Sequence, residues 1–145
     1  MSYKSAVSTY RETRVTTAGQ GQLIIMLYNE AVKYLDEALK LPEAGTATPG
    51  GIEKFGRAVV KAQEIITELM VSLDFEQGGE IARNLFSLYT WFNRELVEAN
   101  ISRDSGRVSA VRKLVEELRG AWLAIITTGV AESAKRESAG VSIAG

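Results

Sequence analysis

The chain has no cysteine and no histidine among its 145 residues. That removes thiolate and imidazole together, so Cys-His and Ser-His nucleophile pairs and the usual zinc sites are excluded. The commonest general base is missing with them, and no paired carboxylates stand out beyond charges expected on exposed helix faces. The sequence therefore predicts no enzyme, no metal site, no cofactor and no small-molecule substrate. Zero cysteine also fits a reducing compartment. Neither sign of charge prevails: 17 basic residues face 18 acidic ones, a net charge of -1. No global drive toward nucleic acid or anionic lipid follows from that balance. Arg112, Lys113 and Arg119 sit among Glu116 and Glu117 and read as a solvated helix face. No stretch reaches the roughly 18 apolar residues of a membrane span, and MSYKSAVSTYRET at the start has no apolar run of signal-peptide length. Membrane insertion is not expected, and a cytoplasmic location is.

What the chain does have is apolar residues, 46% of the total, with only two prolines to interrupt them. This is the profile of a soluble globule with one core. Ile52, Phe55, Val59, Ala62, Ile66, Leu69 and Leu73 recur at alternating steps of three and four. Val108, Val111, Val115, Leu118, Trp122 and Ile125 do the same. Two further helical periods start at Leu23 and Leu85, and no strand-like alternation is present. The breaks PEAGTATPGG, DFEQGG and SRDSG are short, which makes consecutive helices antiparallel neighbours. The expected fold is all-α, an antiparallel up-down-up-down four-helix bundle. The bundle is expected over residues 17–130, with a short N-terminal cap segment at 1–16 and a flexible tail at 131–145.

The four helices differ in how much apolar surface they carry. At about 100° per residue, the second and fourth have arcs of roughly 140°, enough for a bundle core, while the first spans roughly 200° and the third roughly 180°. Trp91 falls outside even that arc. The surplus predicts elongated apolar grooves suited to an amphipathic helix or extended peptide, with tyrosine and tryptophan as anchors. The candidate partner-binding residues are Leu23, Ile24, Leu27, Tyr28, Ala31 and Tyr34 on the first helix. On the third they are Leu85, Leu88, Tyr89, Trp91 and Phe92. Ahead of the bundle, Tyr3, Val7 and Tyr10 fall at i, i+4 and i+7, and with Val15 form a segment able to dock on apolar surface left open. Thr17 and Gln20 have capping-box spacing, although Gly19 and Gly21 weaken that first turn. Met26 and Met70 read as packing residues, Asn93 and Asn100 as hydrogen-bonding to neighbouring elements, and Gly78-Gly79 as a tight reversal.

Read in order, the residues resemble a known family. Tyr10, Thr13 and Val15 are followed by LIIMLYNEAVKYLDEAL, then KAQEIITELMVSLDFEQGGEIARNLFSLYTWFNRELVEAN, then LVEELRGAWLAI. This succession, over about residues 8 to 127, is similar to the FliS flagellin-specific export chaperones. Gly19-Gln20-Gly21, Asn29 and Thr90 depart from residues common in that family. The resemblance implies a cytoplasmic helical bundle that binds the disordered C-terminal segment of flagellin, prevents premature polymerisation and helps present the subunit to the flagellar type III export gate. It also implies that the segment with Tyr10 caps an apolar site and is displaced by the client. Two alternatives compete: a homo-oligomeric structural bundle without a flagellin client, and an enzyme built around buried Arg and Glu groups, for which Glu95 is the residue to inspect.

Overall fold

The last three of the four helices each start where the sequence supplies a cap. The computed structural model describes residues 20–144, which form α1 (Gln20–Leu39), a 3-10 turn (Pro42–Gly45), α2 (Pro49–Val71), α3 (Phe75–Ser102) and α4 (Ser105–Ala144). No strand occurs among the described residues, and the fold is the all-α four-helix bundle that the periodicity predicts. The 1–16 segment with Tyr3, Val7, Tyr10 and Val15 lies outside the described residues, as does Thr17.

The Thr48 hydroxyl accepts the Gly51 N–H at 2.9 Å and Pro49 fills the first turn, so α2 begins with a capped end and a residue whose missing N–H needs no partner. Asp74 opens α3 by accepting the N–H groups of Glu76 and Gln77 at 3.1 and 3.0 Å. Asp104 does the same for α4, accepting from Gly106 and Arg107 at 2.9 and 3.3 Å. Between α3 and α4 the chain reverses through Arg103, a left-handed residue at φ 56°. The reversal before α3 is made by Ser72, Leu73 and Asp74, not by Gly78-Gly79 as the sequence suggests. Gly79 (φ 49°, ψ -121°) instead breaks α3 one turn after it starts, in a conformation open to glycine.

At the α1–α2 corner Glu43, Ala44 and Gly45 are all left-handed, with φ of 51°, 54° and 80°. Gly45 admits no side chain, since a Cβ there would stand 2.2 Å from the Gly51 carbonyl oxygen. α4 continues to Ala144, through a stretch without proline in which alanine, glutamate, lysine and arginine favour helix.

The helices are organised as two units, Met26–Glu117 and Met1–Ile25 with Leu118–Gly145. Within the first, Leu27, Tyr28, Ala31, Leu35 and Ala38 of α1 are buried. So are Phe55, Val59, Ala62, Ile66 and Leu69 of α2, Ala82, Tyr89, Phe92, Leu96 and Ala99 of α3, and Val108, Val111 and Val115 of α4. The regular stripes predicted for α2 and for this part of α4 are the core. At about 1.5–3 kcal/mol for each large side chain removed from water, this core is the main source of stability. Within the second unit Leu23 is buried, and Gly21 lets α1 approach α4 closely: a Cβ would be 3.0 Å from the Ile126 side chain. Ile125, the last residue of the predicted α4 stripe, is exposed.

Candidate docking surface

The Leu-Tyr steps of α1 and α3 meet inside the bundle. The hydroxyls of Tyr28 and Tyr89 lie 2.5 Å apart, both side chains fully buried. A buried hydroxyl without a partner costs about 1–3 kcal/mol, and the two polar tips meet this cost in part by sharing one another. Phe92 packs beside Tyr89 at 6.3 Å between ring centroids, and Trp91 lies against Phe92 at 5.9 Å with part of its indole still exposed.

Much of the open apolar surface of the Met26–Glu117 unit is at the seam of α2 and α3, with Ile81 exposed besides. Asn93 donates from Nδ2 to the Thr67 hydroxyl at 3.3 Å, and Gln63 donates from Nε2 to the Asn93 carbonyl at 3.3 Å. A Cβ on Gly56 would be 3.3 Å from Asn100 Oδ1. These three links fix an antiparallel register in which Val60 is level with Val97 and Val71 with Phe86. Val60, Thr67 and Val71 follow one line along α2, and Phe86, Thr90, Val97 and Ile101 one line along α3. Their apolar members remain open: Val60 is 43% exposed, Val71 62%, Phe86 42%, Val97 44% and Ile101 71%. Phe75 extends the row by an edge contact with Phe86, their centroids 5.9 Å apart. From Phe86 to Ile101 the row runs about 22 Å, some four helical turns. Asn93 Oδ1, buried in this seam, has no hydrogen-bond partner.

The eleven predicted partner-binding residues divide in two. Leu23, Leu27, Tyr28, Ala31, Tyr89 and Phe92 belong to the interior, at 6% exposure or less. Ile24, Tyr34, Leu85, Leu88 and Trp91 keep part of their surface in solvent. The wide arcs of α1 and α3 are used largely to fill the core, because a bundle helix buries residues toward two neighbours and the centre at once. The sequence reading missed Val60, Val71, Phe75 and Ile101 as open residues, and counted Phe86 and Val97 only within an arc. Val60 and Val71, and likewise Phe86 and Val97, are eleven residues apart, three helical turns, on lines away from the 3-4 stripe of each core. That spacing is the signal that could have found them.

Charged groups decorate this framework without building a reaction centre. Glu95 is not in the core; both its oxygens accept from Arg107 Nη1 at 3.0 Å. Arg112 Nε meets Asp36 Oδ1 at 2.5 Å between α4 and α1. That hydrogen bond, against a smaller opposing effect of desolvation, raises the Arg112 guanidinium above its already high ordinary pKa. Glu68 is the one buried charged residue among the described residues. Among them no group of acidic side chains is placed to hold a metal ion, and no helix is long and apolar enough to cross a membrane.

The described residues thus form a helical bundle with a long apolar row on its outside. Residues 3–129 match the family described as Flagellar protein FliS. The chain is 31% identical to the flagellar secretion chaperone FliS of Bacillus subtilis, over 84% of this chain and 86% of the relative. It is 37% identical to that of Salmonella typhimurium, over 77% and 79%. With the flagellar secretion chaperone FliSB of Pseudomonas aeruginosa it shares 34%, over 77% and 84%. The chain belongs to the FliS family of flagellar secretion chaperones, a non-enzymatic family.

Proposed function

We propose that this chaperone acts in the cytoplasm on flagellin, binding its disordered C-terminal segment and holding it away from premature polymerisation until export through the flagellar type III gate. The observation that carries this reading is the exposed apolar row on the α2–α3 seam, in a chain that belongs to a flagellar secretion chaperone family. A filament end segment is amphipathic, and its apolar face, when free, finds other subunits. A row of Phe86, Val97 and Ile101 faced by Val60 and Val71 covers such a face along four turns. The partly exposed Tyr34, Leu85, Leu88 and Trp91 add to what the client can touch without disturbing the core, and Ile24 is partly exposed in the other unit. Leu27, Tyr28, Ala31, Tyr89 and Phe92 hold the scaffold beneath, and Leu23 is buried in the other unit. Tyr3, Val7, Tyr10 and Val15 cover apolar surface at rest and yield to the client.

Coupled folding and binding buries about 1,000–3,000 Å² and spends about 2–5 kcal/mol on ordering the partner, so the apolar contact must exceed that and the cost of displacing the cap. The test is calorimetric titration with a peptide covering the C-terminal segment of flagellin from the same organism. It is run on the full chain, on a version starting at Thr16 and on Val97→Lys. One-to-one binding with a large negative heat-capacity change, strengthened by truncation and weakened by Val97→Lys, is the expected result. No binding to either of the first two, together with a mass in solution above that of a monomer, would instead make the row a contact between copies in a homo-oligomeric bundle.

A further inference from the structure

Between α1 and α2, beside the corner made by the 3-10 turn, a cavity of about 310 Å³ opens to solvent. Its floor is apolar, from Tyr34, Leu41 and the buried Ala58, and its rim is cationic, from Lys54, Arg57 and Lys61. Glu37 is the only acid in the lining. Lys33 adds a further cation, with Nζ 5.2 Å from the centroid of the Tyr34 ring. Arg57 is already paired with Glu53 at 2.8 Å, whereas Lys54 and Lys61 have no carboxylate within ion-pair distance among the described residues.

This local excess of positive charge stands in a chain whose net charge is -1. Lys54, Ala58 and Lys61 fall at i, i+4 and i+7 on one face of α2, so the alanine leaves a hollow between two lysines. The hollow is closed at one end by Leu41, next to a corner whose three left-handed residues and side-chain-free Gly45 allow little rearrangement. A nucleic-acid backbone or an anionic bilayer calls for a broad surface of cations. A small concave site with an apolar floor and two ammonium groups unpaired among the described residues suits a short peptide segment instead.

We propose that this pocket binds an acidic segment of a partner protein, seating one apolar side chain against Tyr34, Leu41 and Ala58 with flanking carboxylates on Lys54 and Lys61. The pocket shares no residue with the α2–α3 row, and Tyr34 alone is common to it and to the residues that the client is proposed to touch. Opposite charges brought together at a partly desolvated rim give orientation and rate of encounter, while the apolar anchor gives residence.

The probe is a short labelled peptide with a central leucine flanked by glutamate and aspartate, titrated into the full ¹⁵N-labelled chain. The expected result is saturable amide shifts centred on Tyr34, Leu41 and Ala58. Affinity should be lower by on the order of tenfold in Lys54→Glu/Lys61→Glu, and lower again at high salt. A serine in place of the leucine should cost a comparable factor. Both substituted lysines are exposed, so the variant is expected to melt as the parent does. Equal binding of a lysine-flanked peptide, unchanged affinity in the charge-reversed variant, or no binding at millimolar peptide would overturn the proposal. Val97→Lys should leave this binding intact; a loss there with none on charge reversal would assign the peptide to the seam and sink the pocket.

Discussion

α3 carries two apolar rows of similar composition and opposite fate. Tyr89, Phe92 and Leu96 are shut inside the bundle, while Phe86, Val97 and Ile101, displaced by roughly a quarter turn or more, face solvent beside Val60 and Val71. The side chains of the second row are as apolar as those of the first. What separates them is burial: the first row is at 1% exposure or less, while the second is 42–71% exposed. On the proposed function the difference gives stability to the buried row and recognition to the open one, since large open apolar patches on folded domains commonly serve as interaction sites.

The sharpest way to break that assignment is to truncate a member of the buried row. Phe92→Ala should cost about 3–5 kcal/mol in urea denaturation, the range for a large buried aromatic that leaves a cavity. The variant that remains folded should bind the flagellin peptide with parent affinity. A loss under about 1 kcal/mol would mean that the interior collapses around the gap and that Phe92 is not a keystone of the core.

The second test is its mirror image. Val97→Lys should change stability by no more than about 0.5 kcal/mol, because its side chain already lies half in water. It should lower peptide affinity by about 2 kcal/mol, roughly 30-fold, if the row is the docking surface. Matched losses of stability and affinity would erase the distinction between the two rows.

How much of this could be read from residues alone follows from what periodicity measures. The stripe Phe55, Val59, Ala62, Ile66 and Leu69 was legible and is buried as a unit, since a strict 3-4 alternation leaves one helix face no alternative. The family was legible because its segments occur in order over most of the chain. The open row was not, because an arc of roughly 180° on α3 shows how much is apolar but not which neighbour covers which side. Tyr28 and Tyr89 look like amphipathic surface anchors in sequence, and are interior residues whose hydroxyls meet at 2.5 Å. The Gly79 break was illegible for a related reason: a Gly-Gly pair shows where the backbone is free, not whether it turns or kinks.

A smaller effect sharpens the buried side of the comparison. Tyr28→Phe removes one of two hydroxyls 2.5 Å apart and should destabilise by about 1 kcal/mol, since it takes a hydrogen-bond partner from a buried Tyr89. Tyr28→Phe/Tyr89→Phe should cost less than the sum of the two single changes, because the pair loses both polar groups together. Additive losses in a double-mutant cycle would show that each hydroxyl is held mainly by other neighbours.

The smallest effect belongs to the charges that link α1 and α4. Asp36 and Arg112 meet at 2.5 Å, yet their side chains are 37% and 36% exposed, and an ion pair so hydrated contributes about 0–1 kcal/mol. Asp36→Asn should therefore move the urea midpoint only slightly, by an equivalent of about 0.5 kcal/mol or less, and less still in high salt. The pH dependence of Arg112 has a definite sign. Its pKa is raised in the folded state, so its contribution is fully present below the ordinary guanidinium pKa and is lost only as pH rises through the higher folded value. Between about pH 6 and 9 its charge is constant. The difference in stability between Asp36→Asn and the parent should then stay flat across that window. A difference that grows or shrinks there would show that a group other than Arg112 titrates against Asp36. The core rows of α1, α2, α3 and α4, each large side chain worth more than this pair, would remain the main source of stability in either case.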